Sequence, residues 1–367
     1  MASLSNRIKN KLNLLWPLTK CSDEYELLKV VYTKKIVDVY DHHGCISDEL
    51  LLPWYSLENW KRRQFTEKVY CNKETVWIEP IHGWAINSKG AVLINSISLG
   101  YACKTPLPDR WPFLRRKSKI ELKEAVTINF AHRGGYNYYH FFSDLLAQLN
   151  LVIETSGKKD MPIIISEKLA NQPFFQQTLQ RSEFLNSFTW IVQKDKWIRV
   201  NELWYAINAN DQKIHYDIIL KWLNVLPKKL RKNKIFLTRG SNRSRRLENE
   251  TEIFGIAKKY GFEKVDTDLL TLDEQIEVFS SVSAIVGIHG AAFMNMIFAM
   301  GYPVKIMEIF FAPYHVSCYY NMAQHCHFQY AAICGETMNA NGSFFLNPEK
   351  FEKYFLMLLK NDPVYLE

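Results

Sequence analysis

The sequence predicts an α/β protein whose sheet is parallel and covered by helices on both faces, and three observations lead there. Between residues 234 and 310, short apolar runs alternate with runs of helical spacing, the pattern of consecutive strand–helix units. The chain has 367 residues, more than a single hydrophobic core usually serves, which makes two domains the expectation. Hydrophobic residues make up 47% and charged residues 23%, an ordinary globular balance that excludes a disordered or collagen-like chain.

The elements follow in chain order. In MASLSNRIKNKLNLLWPLTK, residues 1–20, helical spacing puts Leu4, Ile8, Leu12 and Leu15 on one face, with Arg7, Lys9 and Lys11 among them. Two readings stand: a helix lying on a membrane surface, or a terminal helix packed on its domain. Lysines interrupt the apolar part and no small-residue cleavage site follows, so no secretory signal is expected. No apolar run reaches the roughly 18 residues that span a bilayer. Short strands follow between 68 and 130: VWIEP, then WAINSKGAVLINSISL with a hairpin-like Ser88-Lys89-Gly90, then AVTINF. NYYHFFSDLLAQLNLVIET (137–155) reads as a long helix, with Tyr138, Phe141, Phe142, Leu145 and Leu149 toward the core. Strand PIIIS, helix PFFQQTLQRS, strands near 188–193 and 198–206, and helix IHYDIILKWLNVL come next. PKKLRKNK (227–234) is basic, begins with proline and reads as the linker.

Beyond it the alternation is clear: strand KIFLTRG, helix ENETEIFGIAKKY stopped by Gly261, strand FEKVDT, and a helix opened by Thr271 and Glu274 in capping-box spacing. SAIVGI is a strand, AAFMNMIFAM a short helix stopped by Gly301, and VKIMEIF a strand. The series is Rossmann-like, without G-x-G-x-x-G. A final helix, NPEKFEKYFLMLLKN, has Asn347 as cap and Pro348 at its first position. The expected divisions are 1–230, with a β-rich beginning, 231–340, and the closing helix in 341–367.

Seven cysteines, widely spaced, odd in number and without C-x-x-C, suit free thiols in a reducing compartment. A formal charge of +8 suggests an anionic partner: nucleic acid, a phosphorylated substrate or an anionic membrane. Three stretches carry the chemistry. Gly287-Ile288-His289-Gly290 lies where a parallel strand ends and a helix begins, a place that favours anions; an unliganded tight turn is the plain alternative. Glycine there permits positive φ and close backbone approach. His140 and Asp144 are four apart on one helical face, after Arg133-Gly134-Gly135, and suit acid–base work beside an anion; a surface pair without a role is the alternative. Arg239, Arg243, Arg245 and Arg246 sit at and beyond a strand's carboxyl end, where guanidinium suits phosphate. No aromatic residues interleave them, which weakens a nucleic-acid reading. The D-x-D at 266–268 reads as a strand end, and His325-Cys326-His327 lacks ligand spacing.

GYNYYHFFSDLLAQL, KIFLTRGSNRSRRLENETEI and IVGIHGAAFMNMIFAMGYPVKIMEI together resemble glycosyltransferase family 61 in order and spacing, over roughly residues 125–335. One departure is Ala292-Phe293, where many members have Gly-Leu. The resemblance implies a GT-B architecture, two Rossmann-like domains facing a central cleft, with the final helix crossing back to the first. It implies inverting transfer from a nucleotide sugar, commonly a UDP-sugar, without metal or other cofactor. His289, Gly290, Ala291 and Asn295 would hold the donor, Arg239 and Arg246 would neutralise its diphosphate, and Glu308 would accept from the ribose. Asp144 would take the acceptor's proton. His140, which tends to stay protonated near a diphosphate, would donate, although the two roles can be exchanged. Arg133, Gly134 and Tyr138 would form an acceptor or phosphate loop. The expected partners are a nucleotide sugar and a glycan or lipid-linked glycan in surface polysaccharide assembly. The expected location is cytoplasmic, with peripheral membrane contact if the first helix binds lipid. A catalytically silent sugar- or nucleotide-binding protein and a nucleic-acid binder are the competing classes.

Overall fold

The computed structural model describes residues 30–39, 46–47, 62–80, 83–87, 92–94, 120–128, 136–207, 209, 212–226, 228, 233–240, 244–312, 314 and 316–360. The amphipathic stretch at the N-terminus, Ser88-Lys89-Gly90 and most of the 227–234 linker lie outside them. Strands β1 (Val30–Val39) and β2 (Ile46–Ser47) open the described chain and belong to different sheets.

The first sheet has nine strands. β1 pairs antiparallel with β3 (Arg62–Asn72); β4 (Val76–Ile78), β5 (Ala85–Asn87) and β6 (Val92–Ile94) form an antiparallel series. Ala85 pairs with Ile94 and Ile86 with Val92. β7 (Ile120–Thr127), β8 (Ile163–Ser166), β9 (Trp190–Gln193) and β10 (Ile198–Ile207) are parallel, in the order β10-β7-β8-β9. The other edge of β10 carries β3 and β4, both antiparallel. Every residue of β8 is buried, as expected of a parallel strand covered on both faces.

The second sheet is wholly parallel. β11 (Asn233–Leu237), β13 (Phe262–Val265), β14 (Val282–Ile288), β15 (Lys305–Ala312) and β16 (Gln329–Thr337) run in the order β13-β11-β14-β15-β16, and β2 completes the edge beside β16. β12 (Arg246–Leu247) and β17 (Ser343–Phe344) pair apart from it. The helix Leu272–Ser280 begins with the full capping box of Thr271 and Glu274, and Gly261 takes the left-handed conformation, φ 82°, that ends the helix before it.

Three elements depart from the sequence expectation. The helix through 137–155 is composite: a helical turn Tyr138–His140, a π-helical turn Phe141–Leu145, then α-helix Leu146–Ser156. Ala291–Ala299 is a 3₁₀-helix, unusually long for that type, instead of an α-helix. Phe293 through Ala299 are all buried, so packing on every side, more than local propensity, sets its winding. The final helix, Pro348–Lys360, does not cross back to the first sheet. Phe351, Tyr354, Phe355 and Leu358 are buried with Phe236, Ile253 and Phe262 of the second half, and Lys305 Nζ donates to the Leu359 carbonyl at 2.6 Å. Its apolar face finds a partner on the neighbouring sheet.

The larger hydrophobic core is common to both sheets. Val126, Ile163 and Tyr205 of the first join Phe293 and Phe298 of the 3₁₀-helix and Ile285 and Ile306 of the second.

Candidate active site

The first cluster stands on the composite helix that follows β7. Asn137 caps it, its side chain accepting from the Tyr139 N–H at 2.9 Å. Leu146 N–H donates to the Phe141 carbonyl five residues back, the mark of the π turn. Such single wide turns recur at functional sites. Here the turn carries Asp144 and begins just after His140. His140 Nδ1 lies 2.7 Å from Asp144 Oδ2, and the two side chains are 27% and 12% exposed. An ionised carboxylate only accepts, so the Nδ1 of His140 carries the hydrogen, and in a neutral ring Nε2 is then the acceptor. Arg133 and Gly134, expected beside this pair, lie outside the described residues.

The second cluster stands at the end of β14. His289 Nδ1 is 2.5 Å from Oε1 of Glu308, and Tyr330 Oη donates to Oε2 of the same carboxylate at 2.5 Å. Glu308 is fully buried, and both of its oxygens are engaged. The ribose contact implied for it therefore requires the surrounding side chains to open, since the carboxylate is closed off from the surface. The His289 ring lies stacked near Phe310, 5.5 Å away, and tilted to Tyr314 and Tyr319 at 5.4 and 5.3 Å.

Two arginines gather at the same turn. Arg239 Nη1 donates to the His289 carbonyl at 2.8 Å, and Arg245 Nη1 approaches it at 3.4 Å. Arg246 turns toward the Asn341 carbonyl, 3.5 Å from Nη2. Arg245 has φ 63°, a left-handed backbone that swings its side chain to the histidine turn. The glycines of the turn serve packing. A Cβ on Gly287 would lie 2.7 Å from the Leu237 Cβ on β11, and one on Gly290 would lie 2.6 Å from Arg239 Nη1. Gly290 has φ 174°, an extended backbone open to any residue, so its need is close approach and not positive φ.

Two links join the clusters. Tyr138 Oη donates to Asn295 Oδ1 at 2.5 Å, and Asn295 Nδ2 donates to Gln275 Oε1 at 2.8 Å. Asn295 is fully buried, so its amide bridges the two halves; burial also pushes the Tyr138 hydroxyl pKa far upward. The second link is aromatic: His140 to Tyr139 at 5.1 Å, Tyr139 to Tyr319 at 5.4 Å, and Tyr319 to His289 at 5.3 Å between ring centroids. Sequence reading had singled out neither Tyr319, Tyr330 nor Gln275, because their partners are distant in the chain. Asp266, in the D-x-D stretch, caps the 3₁₀ turn Thr267–Leu269. Among the described residues, no three His, Cys, Asp or Glu side chains converge on one point, and no helix is long and apolar enough to cross a membrane.

The topology explains why these residues meet. In the first sheet the chain steps from β7 outward to β8 and β9, then returns to place β10 on the other side of β7. In the second it steps from β11 outward to β13, then returns to place β14 on the other side of β11. Each return leaves a crevice at the strands' carboxyl ends, where open α/β sheets bind ligands. His140 and Asp144 follow β7, Arg239 follows β11 and His289 follows β14. An α/β protein with two ligand-binding positions is the description that this pair of crevices fits. The family model for glycosyltransferase 61 matches residues 138–305, and it is the family that the three motifs resemble. The match covers less than half of the chain but contains His140, Asp144, all three arginines and His289. No curated protein matches the chain.

Proposed function

We propose that the protein is an inverting glycosyltransferase of GT-B organisation, moving a sugar from a nucleotide sugar, commonly a UDP-sugar, to a glycan or lipid-linked glycan in surface polysaccharide assembly. The observation that carries the reading is the His140–Asp144 pair, linked through two tyrosine rings to an arginine-backed His289. Nδ1–H of His140 is held by Asp144, the more buried partner. His140 Nε2 is then the base, and Asp144 orients it, which exchanges the roles first assigned to them. Nε2 takes the proton of an acceptor hydroxyl as its oxygen bonds to the anomeric carbon. The anomeric bond to phosphate breaks on the opposite side, which inverts the centre and releases a nucleoside diphosphate.

The negative charge of that leaving group falls to Arg239 and Arg245 beside the His289–Gly290 turn. A guanidinium has five donors in a rigid fork, so a bond to the His289 carbonyl occupies one of them. Fixed positive charge aimed at a developing anion is a large source of rate. On that basis we propose transfer without a divalent metal, in a protein acting on the cytoplasmic side.

The test is a screen of nucleotide sugars for protection against thermal unfolding, followed by release of nucleoside diphosphate in the presence of a glycan panel, with and without EDTA. Protection by one donor class and EDTA-insensitive release are expected. Binding without turnover of any donor would make the protein a silent sugar-binding one. Activity lost in EDTA and restored by manganese would remove the metal-free step.

A further inference from the structure

Three tyrosine rings stand out among the described residues for their exposure: Tyr136, Tyr260 and Tyr314. Tyr260 lies on the far side, edge-on to Phe355 of the final helix. Tyr314 sits just beyond β15, at the carboxyl edge of the second sheet, and is 38% exposed. Its ring lies parallel to that of Phe311, centroids 5.2 Å apart and planes within 5°. Phe311 in turn rests against Phe344 at 5.8 Å. The Tyr314 N–H donates to the Phe311 carbonyl at 2.8 Å, which fixes the turn that presents the ring. The same ring is 5.4 Å from His289.

An exposed tyrosine normally has a free choice of rotamers. This one is held flat by a buried phenylalanine, one ring away from the histidine that backs the proposed diphosphate site. We propose that Tyr314, backed by Phe311, is the platform on which the donor's nucleobase stacks. The inference rests on the donor site proposed above and adds the position of the base within it. A flat heteroaromatic base pays little ordering cost on a surface that is already ordered, and every base offers a π face. Tyr314 therefore supplies affinity shared by all nucleotides, and discrimination among bases falls to groups at the ring's rim. Its hydroxyl is not needed for stacking, so Tyr314→Phe should retain the function.

The experiment is calorimetric titration of the full chain, and of Tyr314→Phe, Tyr314→Leu and Tyr314→Ala, with UDP, ADP, GDP, CDP and inorganic pyrophosphate, with a melting curve for each. Loss of one stacking partner is worth about ten- to hundredfold in affinity. Expected is a loss of that size in Tyr314→Ala for the tightest nucleoside diphosphate, a smaller one in Tyr314→Leu, none in Tyr314→Phe, and pyrophosphate affinity unchanged throughout. Equal loss for nucleotide and pyrophosphate would mean that the ring only supports His289, and would overturn the platform. No loss for either would overturn it while leaving the donor site standing. A parent chain that binds none of the five would remove the donor site itself, and this inference with it.

Discussion

Two of the histidine–carboxylate pairs among the described residues, His140–Asp144 and His289–Glu308, share a similar geometry in opposite surroundings. His140–Asp144 lies within a single helix, four residues apart, with the imidazole a quarter exposed. His289–Glu308 spans two neighbouring parallel strands, with a carboxylate closed off entirely and shared with Tyr330. The first pair has room for a substrate proton. The second is a fixed mount, in which His289 Nδ1 and both Glu308 oxygens already have partners inside the protein. The same two residue types are thus divided by burial between chemistry and positioning. One pair should respond to mutation in rate and the other in stability, which is how the comparison can be broken.

The largest effect belongs to the open pair. His140→Ala should lower transfer by about 10²–10⁴-fold, with donor binding and melting temperature close to the parent. Asp144→Asn should lose a comparable share, because an amide donating to Nδ1 forces the hydrogen onto Nε2 and removes the base. Steady-state rates alongside calorimetric donor binding check both; normal turnover in the folded His140→Ala chain would return the pair to a surface ornament. Next comes the closed pair. Glu308→Ala leaves His289 and Tyr330 without their buried acceptor, at about 1–3 kcal/mol for each group left unsatisfied, read by denaturant unfolding. If it instead unfolds like the parent but fails to bind nucleotide, Glu308 meets the ligand directly and the division between the pairs is wrong.

A smaller effect is expected at the turn between them. Gly290→Val places atoms where Arg239 Nη1 now lies and should displace the guanidinium from the His289 carbonyl. Nucleoside diphosphate affinity should fall about tenfold, the worth of one charge-assisted hydrogen bond. The backbone conformation itself is open to valine, so unchanged affinity would show that Arg239 can move without consequence.

The smallest effect provides a control outside both crevices. Lys158 is hydrogen-bonded to Glu124 and, at 2.9 Å, to Glu202, which also accepts from the Trp204 indole at 2.8 Å. The hydrogen bonds from Lys158 and Trp204 hold the Glu202 carboxyl below its usual range, and those to Glu124 and Glu202 hold the Lys158 ammonium above its own. A lowered carboxyl pKa adds stability above the ordinary carboxylate range, lost as the pH falls through the depressed value. A raised lysine pKa adds stability below the ordinary lysine range, lost only as the pH rises through the raised value. Lys158 is partly exposed, so Lys158→Met should cost less than about 1 kcal/mol near neutrality. It should flatten the acid limb of a stability–pH curve and leave transfer untouched.

Much of this framework was legible in the residues. Thr271 with Glu274, Gly261, and Asn347 with Pro348 mark helix ends through contacts three or four residues long, and the structure has all of them. His140 and Asp144 were legible for the same reason. The helix Cys318–His325 and strand β16 went unread: their sequence has neither a capping signal nor a clean alternation, and β16 is buried continuously from Gln329 to Cys334. The grouping of Arg239 with Arg245 depends on one left-handed residue and on β14 lying beside β11, neither of which short-range pattern encodes. The π turn and the long 3₁₀-helix arise from packing around a common core, which local periodicity cannot see.

One feature bears on how the chain is made. The second sheet is finished at its edge by Ile46 and Ser47, which pair with Ala331 and Ala332 of β16. Synthesis delivers β2 among the first elements and β16 among the last, so the earliest segment must wait for the latest. Its pairing closes a very long loop, from Ile46 to Ala331, and long-range parallel pairing is slow because closure entropy comes before any contact is gained. Until β16 is made, the β2 segment has no strand to pair with, which exposes it to aggregation. A ribosome-bound chain stalled before β16 should therefore lack the complete second sheet, even though all of the residues proposed for base and phosphate contact have already been made.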